Sequence, residues 1–433
     1  MKVIPRDQHC ISRKNISDSA LKVMSRLRSQ GHQAYLVGGA VRDLLLGGHP
    51  KDFDVATDAT PEEVHGLFRN SRIIGRRFRI VHVRFGREII EVTTFRGHHG
   101  SGNEASPATG GNHSRQSEKG LLLRDNVYGT RDEDAVRRDL TVNALYYDAG
   151  KFEVFDHVHG LQDLQNRQVC VIGEPEVRYR EDPVRMLRAV RFAAKLNFDI
   201  EKKTADAIPS CAQLLREIPA ARLFDEFLKL FLSGYGAATL EQLLKYDLLQ
   251  YLFDETSHLI HQEPRSLALI RAAMANTDKR IAEDKPVTPA FILAALLWPV
   301  ASKGASELES RGDSPMVAIH SAAQQTIAEA SAQLSIPRRF SQPMREIWEF
   351  QLRLQRRQGK KAAQLVEHRR FRAAYDFLLL REQAGEETDD LGAWWTEFQT
   401  LNMDQRIEQA ANAPAGKSSR RRRPRRRRNP KQA

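Results

Sequence analysis

The spacing of apolar residues changes along the chain, and each spacing indicates a different element. In residues 17–30 the apolar positions recur every three to four residues, which predicts a helix. A short apolar run at Ala34–Val37 predicts a strand, and the Gly38-Gly39 pair after it predicts a tight turn into a second helix. The chain therefore starts with the order helix, strand, glycine turn, helix.

Alternation of polar and apolar residues follows this turn. Residues 51–56, KDFDVA, alternate in this way and predict a half-buried strand. Thr60 and Pro61 are residue types preferred at a helix N-cap and at the first helical position. The segments RIVHVRFG and REIIEVTTF, residues 79–95, predict two paired strands.

The pattern of the remaining chain changes twice. Residues 97–120 are rich in glycine and polar side chains and have almost no apolar ones, so we expect a mobile insert outside the core. Beyond Asp163 the strand patterns fade, and helices are predicted at 183–196, 221–232 and 239–248 and further along the chain. We therefore expect a head of mixed helices and strands (α/β) followed by a long helical body.

The positive charge is concentrated at the C-terminus. The formal net charge is +12, and residues 417–433 hold ten positive charges and no acid. We expect this segment to be disordered when free and to attract nucleic-acid phosphates in a salt-sensitive, sequence-indifferent way. The alternatives are a solubilising terminus and a docking site for a protein with an acidic face.

The cysteines and the apolar runs bear on the location of the protein. The three cysteines, Cys10, Cys170 and Cys211, show no CxxC pattern, so neither disulfides nor a zinc site are predicted and a reducing, cytoplasmic location is expected. The longest apolar run, residues 291–301, is far below the ~20 residues of a membrane helix. No membrane span is therefore predicted.

Asp52 and Asp54 are the first candidates for chemistry. Two residues apart on a strand, they share one face at a spacing of roughly 6.5 to 7 Å along the backbone. Carboxylates in this arrangement can hold hard cations such as Mg²⁺, which keep positions free for substrate phosphates. A solvated strand face is the alternative for an isolated D-x-D. The upstream residues Gly38, Gly39 and Arg42 favour the cation, because a glycine turn lets a phosphate approach the backbone and an arginine can bind it.

A second group of charged residues lies in EDAVRRDLTVNALYYD, residues 133–148. Polar groups are crowded in this stretch at Asp134, Arg137, Arg138, Asp139 and Asn143. The alternative to a functional cluster is a set of ion pairs along a helix surface.

A third group lies in REDPVRMLRAVRFAAKL, residues 180–196. Asp182 is predicted as the N-cap and Pro183 as the first helical residue, with Arg185 and Arg188 on one helix face. An arginine beside an aspartate presents the donors and acceptors that reading a base edge requires. A solvated basic helix face is the alternative.

Five motifs occur in order between residues 36 and 196: LVGGAVRDLLLG, KDFDVAT, DAVRRDLTVNALYYD, GLQDL and EDPVRMLRAVRFAAKL. In order and spacing they resemble the motifs of the class II nucleotidyltransferases, the group of bacterial poly(A) polymerases and tRNA CCA-adding enzymes. Within this group the segments IIGRRFRIVHVRFG and RRQGKKAAQLVEHRRFRAAYDFLLLR and the arginine-rich tail are more similar to the poly(A) polymerases. The resemblance covers nearly the whole chain except residues 97–120.

The resemblance implies a role for each matching residue. The triphosphate of ATP would be held by Gly38, Gly39 and Arg42, and Mg²⁺, with Mn²⁺ as an alternative, by Asp52 and Asp54. The sugar and phosphates would contact Arg138 and Asp139, and the adenine edge would contact Asp182, Arg185 and Arg188. The third catalytic acid would be Asp134, and Glu91 in the REIIEV segment is its geometric rival, which the sequence does not exclude.

The resemblance also implies an activity. This is template-independent polyadenylation, the transfer of AMP from ATP to the 3′ hydroxyl of RNA with release of pyrophosphate by two-metal catalysis, in mRNA processing and RNA turnover. Expected partners are RNA 3′ ends and RNA-degradation proteins or an RNA chaperone. The alternatives are a tRNA CCA-adding enzyme and a non-catalytic RNA-binding protein built on a decayed transferase head.

The resemblance implies an α+β fold, in which a head with a small mixed or antiparallel sheet precedes an all-helical part, and a domain organisation with four parts. They are a nucleotidyltransferase head at 1–170 with its insert at 97–120, a helical neck with a nucleotide-reading helix at 171–235, an RNA-binding helical body and leg at 236–410, and a disordered arginine-rich tail at 411–433.

Overall fold

The computed structural model describes residues 1–75, 79–97, 115–116, 122–124 and 127–413 of the chain. The chain separates into two compact units, Met1–Leu252 and Phe253–Ala433. The first unit contains the sheet, and the second is helical in its described part. The predicted α+β fold is thereby confirmed, whereas the finer domain boundaries at 170, 235 and 410 stay predictions.

The first unit is built on an eight-stranded sheet with the order β1-β10-β9-β2-β3-β6-β5-β4. Neighbouring strands in it are antiparallel, except that β3 and β6 are parallel, so the sheet is mixed as predicted. Two further pairs, β7 with β8 and β11 with β12, lie outside this sheet. The strands are β1 (Lys2–Ile4), β2 (Ala34–Val37), β3 (Asp54–Thr57), β4 (Ser71–Ile74), β5 (Ile80–Phe85), β6 (Glu88–Thr94), β7 (Arg115–Gln116), β8 (Leu122–Arg124), β9 (Leu145–Asp148), β10 (Glu153–Asp156), β11 (Gln168–Val169) and β12 (Asp199–Ile200).

Helices cover the sheet and continue beyond it in the first unit. α1 packs on β2, β3 and β6, and α7 packs against α10 and α11. The helices are α1 (Asp18–Ser29), α2 (Gly39–Leu45), α3 (Pro61–Leu67), α4 (Arg131–Arg137), α5 (Gly160–Asn166), α6 (Pro175–Glu181), α7 (Val184–Leu196), α8 (Lys202–Asp206), α9 (Ile208–Cys211), α10 (Ala220–Phe231) and α11 (Gly236–Lys245).

The second unit contains the remaining helices. They are α12 (Asp254–Gln262), α13 (Pro264–Ala282), α14 (Pro289–Ser310), α15 (Pro315–Leu334), α16 (Arg338–Leu354), α17 (Lys360–Leu365), α18 (Phe371–Gln383), α19 (Leu391–Phe398) and α20 (Met403–Asn412). α14 is long and apolar enough to cross a membrane by length and composition, and half of its most apolar window is buried inside the protein. It packs against α12, α13, α15, α16 and α18, as the core helix of a helical unit does.

Predictions that rest on local residue chemistry are confirmed. Thr60 caps α3 in a reciprocal capping box with Glu63, with Pro61 at the first helical position. The segments RIVHVRFG and REIIEVTTF form the antiparallel pair β5 and β6. Phe85 pairs with Glu88, and the turn between them begins at Gly86, whose φ of 59° favours glycine.

The strand prediction for residues 51–56 is wrong in its first half. Asp54 pairs with Val37, the last residue of β2, so β2 offers no partner for Phe53 or Asp52. β3 therefore begins at Asp54, which is partly buried, and Asp52 precedes the strand and is exposed.

The second and third charged groups differ in part from their predictions. α4 ends at Arg137, and Asp134 and Arg138 form one i,i+4 ion pair at its end. The rest of residues 133–148 continues through a 3-10 turn at Thr141–Asn143 into β9, so a single helix does not describe this stretch. α7 begins at Val184 with Pro183 at its N-cap position, and Asp182 follows the end of α6. The prediction of Asp182 as N-cap is wrong by one residue, although its Oδ1 accepts a hydrogen bond from the Val184 N–H at 3.4 Å.

The predicted insert and tail fall mostly outside the described residues. Within 97–120 the structure describes Gly97 and β7, and β7 pairs with β8 just beyond the range. At the other end α20 continues to Asn412 and so includes the first two residues of the predicted tail. Residues 414–433 lie outside the described part of the chain.

Candidate active site

Asp54 lies at the start of β3 in a group of carboxylates. Its neighbours in the strand register are Val37 of β2 and Glu91 of β6. Burial, followed by the charge of Glu91, raises the pKa of Asp54 to about 6; Asp52 acts in the same direction, and the Arg138 guanidinium opposes them. Asp52, Asp54 and Glu91 thus form a cluster in which negative charge exceeds its compensation, which we call the acid cluster. A cation at this position would relieve the repulsion.

Glu91 has one further partner within the sheet. His82 of β5 pairs with it across the antiparallel ladder, and His82 Nε2 lies 3.2 Å from Glu91 Oε1. The Glu91 side chain remains 46% exposed.

Asp134 is held by protein donors. The residue is 6% exposed, and its Oδ2 accepts hydrogen bonds from the Tyr146 hydroxyl at 2.5 Å and from Arg138 Nε and Nη2 at 3.2 and 3.1 Å. Its Oδ1 accepts the Arg96 backbone N–H at 3.2 Å. Burial alone lowers the pKa of Arg138, but Tyr146 and Asp134 outweigh burial and raise it above its ordinary value. Asp134 therefore keeps Arg138 charged and fixes its direction.

The glycine turn brings α2 close to Arg138. Gly38 has a φ of 70°, which favours glycine, and a Cβ at this position would lie 3.5 Å from Arg138 Nη1. Arg42 is 1% exposed, donates through Nη1 to Asn143 Oδ1 and through Nε to Asp43 at 2.8 Å, and lies over the Phe192 ring. Binding of a phosphate by Arg42 requires an exchange of these partners, so its predicted role stays a prediction.

Asp139 and Arg188 form an ion pair between the segment after α4 and α7. Arg188 Nε donates to Asp139 Oδ2 at 2.5 Å, and the Leu140 N–H donates to Oδ1 at 2.9 Å. Burial acts to raise the pKa of Asp139, but Arg188 and the Leu140 N–H outweigh it and lower the pKa to about 2. Both groups are therefore charged throughout the neutral range.

Asp182 and Arg185 each have protein partners as well. Arg222 of α10 donates through Nη2 to Asp182 Oδ2 at 2.7 Å. Arg185 Nη1 donates to Glu181 Oε2 at 2.7 Å and to the Arg178 carbonyl at 2.8 Å. These contacts fix the directions of a carboxylate and a guanidinium on adjacent turns, as recognition of a base edge requires.

A cleft of about 370 Å³ collects most of these groups. Its lining includes six of the residues predicted for the site: Asp134, Arg138, Asp139, Asp182, Arg185 and Arg188. The lining does not include Gly38, Gly39, Arg42, Asp52 or Asp54. Arg138 links these residues to the cleft, because it lines the cleft and its charge also acts on Asp54.

The cleft also contains residues to which the sequence assigned no role in the site: Thr93, Arg96, Arg137, Val184, Arg222 and Glu226. Of these, Arg137 belongs to the charged group that the sequence singled out at 133–148. Arg222 and Glu226 lie on α10 with no local signal, because only the packing of α10 on α7 brings them to the cleft. Burial lowers the pKa of Arg137 to about 10, which leaves it charged near neutrality. Six arginines against four acids make the cleft suitable for a polyphosphate.

The fold and this site define an enzyme of the nucleotidyltransferase type. The structure of the Bacillus stearothermophilus CCA-adding enzyme in complex with CTP shares the fold, with a TM-score of 0.59 at 24% identity over 90% of this chain and 81% of that one. Three family models match along the chain: "Poly A polymerase head domain" at 34–170, "Probable RNA and SrmB- binding site of polymerase A" at 197–260, and "Polymerase A arginine-rich C-terminus" at 311–429.

The curated relatives narrow this class. Poly(A) polymerase I of Salmonella typhimurium is 51% identical over 404 residues, which are 92% of this chain and 86% of the relative. The CCA-adding enzyme of Lactobacillus helveticus is 39% identical over 217 residues, half of each chain. The chain belongs to the poly(A) polymerase I family, and the resemblance drawn from the sequence is confirmed. Membership implies a nucleotide substrate, RNA and a divalent cation.

Proposed function

We propose that this chain transfers AMP from ATP to the 3′ hydroxyl of RNA without a template. The 3′ oxygen forms a bond to the α-phosphorus, the bond from that phosphorus to the β-phosphate oxygen breaks, and pyrophosphate leaves. The position of the acid cluster beside an arginine-lined cleft carries the proposal, because it combines a cation site with a polyphosphate site.

The acid cluster fits a divalent cation. The raised pKa of Asp54 reflects burial and the uncompensated charges of Glu91 and Asp52, which is the environment that a hard cation stabilises. Among the described residues no group of three or more His, Cys, Asp or Glu side chains could by itself hold a metal ion. We therefore propose that Asp52 and Asp54 hold Mg²⁺, or Mn²⁺ in its place, together with substrate phosphate oxygens. The bound ions would lower the pKa of the attacking hydroxyl and neutralise charge on the α-phosphate.

The chain's own residues would position the nucleotide. Gly38 and Gly39 would let the triphosphate approach the backbone, with Arg42 joining it after a change of partners. Arg138, fixed by Asp134, and the pair of Asp139 with Arg188 would hold the phosphates and sugar. The adenine edge would meet Asp182, Arg185 and Arg188, of which Asp182 is oriented by Arg222. Because these groups are fixed in advance, positioning would supply much of the rate enhancement.

We also propose a separate role for each of the two candidates for the third acid, Glu91 and Asp134. Glu91 is the neighbour of Asp54 in the register, and it is the charge that raises the pKa of Asp54 most. Asp134 already accepts four hydrogen bonds from protein donors. These contacts support Glu91 as the acid that joins Asp52 and Asp54, and Asp134 as a positioning residue for Arg138.

The setting of the reaction follows from the substrates. We place the activity in the cytoplasm, in mRNA processing and RNA turnover, with RNA-degradation proteins or an RNA chaperone as partners. All three cysteines are free thiols, which agrees with a reducing compartment.

Primer extension by the purified protein tests this proposal. With Mg²⁺, an unstructured RNA primer and one nucleoside triphosphate at a time, ATP is expected to give a long ladder of products. The CCA-adding alternative is tested with CTP, ATP and a tRNA lacking its 3′ end. Addition that uses CTP and stops after three nucleotides would establish that alternative, and the absence of any extension would overturn the proposed activity.

A further inference from the structure

The turn between α16 and α17 carries basic side chains without acidic neighbours in the sequence. No Asp or Glu occurs between Glu349 and Glu367. Four of the basic residues are exposed and one is half-buried. We call the five the basic turn: Arg353, Arg356, Arg357, Lys360 and Lys361.

Arginines at the start of α18, in the same unit, are neutralised by acids. Arg370 Nε lies 2.5 Å from Glu346, and Arg372 Nη2 lies 3.0 Å from Asp376. Within residues 127–413, by contrast, no residue of the basic turn forms an ion pair with a carboxylate, and Arg357 Nε is buried without a hydrogen-bond partner. The positive charge of the basic turn is therefore uncompensated.

The basic turn is fixed to the last described helix. The Gly359 N–H donates to the Ala410 carbonyl at 3.1 Å, and Gln358 Nε2 donates to the Ala413 carbonyl at 2.7 Å. Trp395 Nε1 donates to the Leu354 carbonyl at 2.9 Å, which anchors the end of α16. These bonds hold the turn in place without using its charged groups.

The same bonds join the turn to Ala413, the last described residue. In the sequence, Lys417, the first basic residue of the arginine-rich segment, follows Ala413 by four positions.

The chemistry of the turn favours a polyanion over a protein surface. From Gln355 to Lys361 every side chain is polar or absent, and the apolar residues on either side, Leu354 and Ala362, are buried. A protein interface needs an apolar centre, which this turn lacks, whereas a phosphate backbone needs only cationic donors.

We propose that the basic turn is a binding site for the phosphate backbone of single-stranded RNA. The inference rests on the proposed function for the identity of the polyanion. The site has no preference for sequence, because it contacts phosphates alone.

Affinity of the full chain for a fluorescent 20-nucleotide RNA, without ATP and over a range of salt concentrations, tests the site. Arg353→Gln with Arg356→Gln is expected to weaken binding about 10-fold near 0.1 M salt and to flatten the slope of log K against log salt by about 1.4. Lys360→Gln with Lys361→Gln is expected to do the same. The matched control is Arg369→Gln with Arg372→Gln, whose side chains are 69% and 70% exposed and lie beside acids.

The control removes the same charge from the same unit, so it is expected to change affinity less than 2-fold. Equal losses for the basic-turn and control pairs would show that net charge alone matters and would overturn the site. Unchanged RNA affinity in the basic-turn variants would also overturn it and would point to an acidic protein as the occupant.

AMP incorporation by the wild-type and control proteins separates this inference from the proposed function. The control pair is expected to incorporate AMP at the wild-type rate. If the wild-type protein incorporates none, the proposed function fails while the binding comparison still stands. If AMP is incorporated and the basic-turn pairs bind RNA as the wild type does, the basic-turn site fails and the proposed function stands.

Discussion

Two buried or partly buried aspartates of the first unit, Asp54 and Asp134, differ in what surrounds them. Asp134 accepts four hydrogen bonds, two of them from Arg138. Asp54 faces the carboxylates of Glu91 and Asp52, and its pKa is raised to about 6. Burial is therefore a poor guide to role, and the partners distinguish an acid that organises the protein from one that needs a cation.

The largest expected effect is on turnover at the acid cluster. Asp52→Asn and Asp54→Asn are each expected to lower the rate of AMP incorporation about 1,000-fold, because the several kcal/mol that a bound cation contributes are lost. Single-turnover incorporation into an RNA primer measures this. Asp58→Asn, an exposed aspartate just after β3, is the control, and rates near wild type for Asp54→Asn contradict the assignment.

The next effect is on stability at Asp134. Asp134→Asn leaves the Arg138 guanidinium without its charged partner, and loss of one member of a buried pair is expected to cost about 3 kcal/mol. Urea unfolding with a probe in the first unit measures the change. An unchanged free energy of unfolding would show that Asp134 does not anchor Arg138.

The pH dependence of the free energy of unfolding tests the surroundings of Asp54. Its folded-state pKa of about 6 lies above the ordinary 3.8, so its contribution is fully present below about pH 4 and is lost as pH rises through 6. In protein treated with a chelator this loss is expected to be about 3 kcal/mol between pH 4 and 7. Asp54→Asn should lack this component and should be the more stable protein at pH 7. If the free energy of unfolding depends on pH in the same way in the wild type and in Asp54→Asn, the raised pKa of Asp54 is contradicted.

The smallest effect is expected at Glu91. Glu91→Gln should reduce turnover about 10-fold, since one of three charges is removed, and should raise the divalent concentration needed for half-maximal rate. Asp134→Asn should instead raise the KM for ATP, because Arg138 is then free to move. Glu88→Gln on the same strand is the control. If Glu91→Gln leaves the divalent-cation concentration for half-maximal rate unchanged, Asp134 rather than Glu91 is the third acid.

Local residue chemistry explains what the sequence could predict. The Thr60 capping box, the hairpin at Gly86 and the glycine turn at Gly38 each depend on residues a few positions apart. The motif order also led to six of the residues that line the cleft, because those segments match a known family as units.

Long-range packing explains what the sequence could not predict. Glu91 neighbours Asp54 only because β6 lies parallel to β3. Asp134 accepts a hydrogen bond from the Tyr146 hydroxyl only because β9 brings Tyr146 to α4. Arg222 reaches Asp182 through the packing of α10 on α7. The start of β3 was misplaced for a similar reason, since β2 ends at Val37, the partner of Asp54, and so decides where the ladder stops.

Cation binding to the protein in the presence of a saturating, non-cleavable ATP analogue tests the contrast most directly, because the proposed site includes substrate phosphate oxygens. Mn²⁺ binding, followed by electron paramagnetic resonance, is measured for the wild type, Asp54→Asn and Asp134→Asn under conditions where all three are folded. Loss of the strongest site in Asp54→Asn and its retention in Asp134→Asn is the predicted result. Retention in Asp54→Asn with loss in Asp134→Asn would contradict the account.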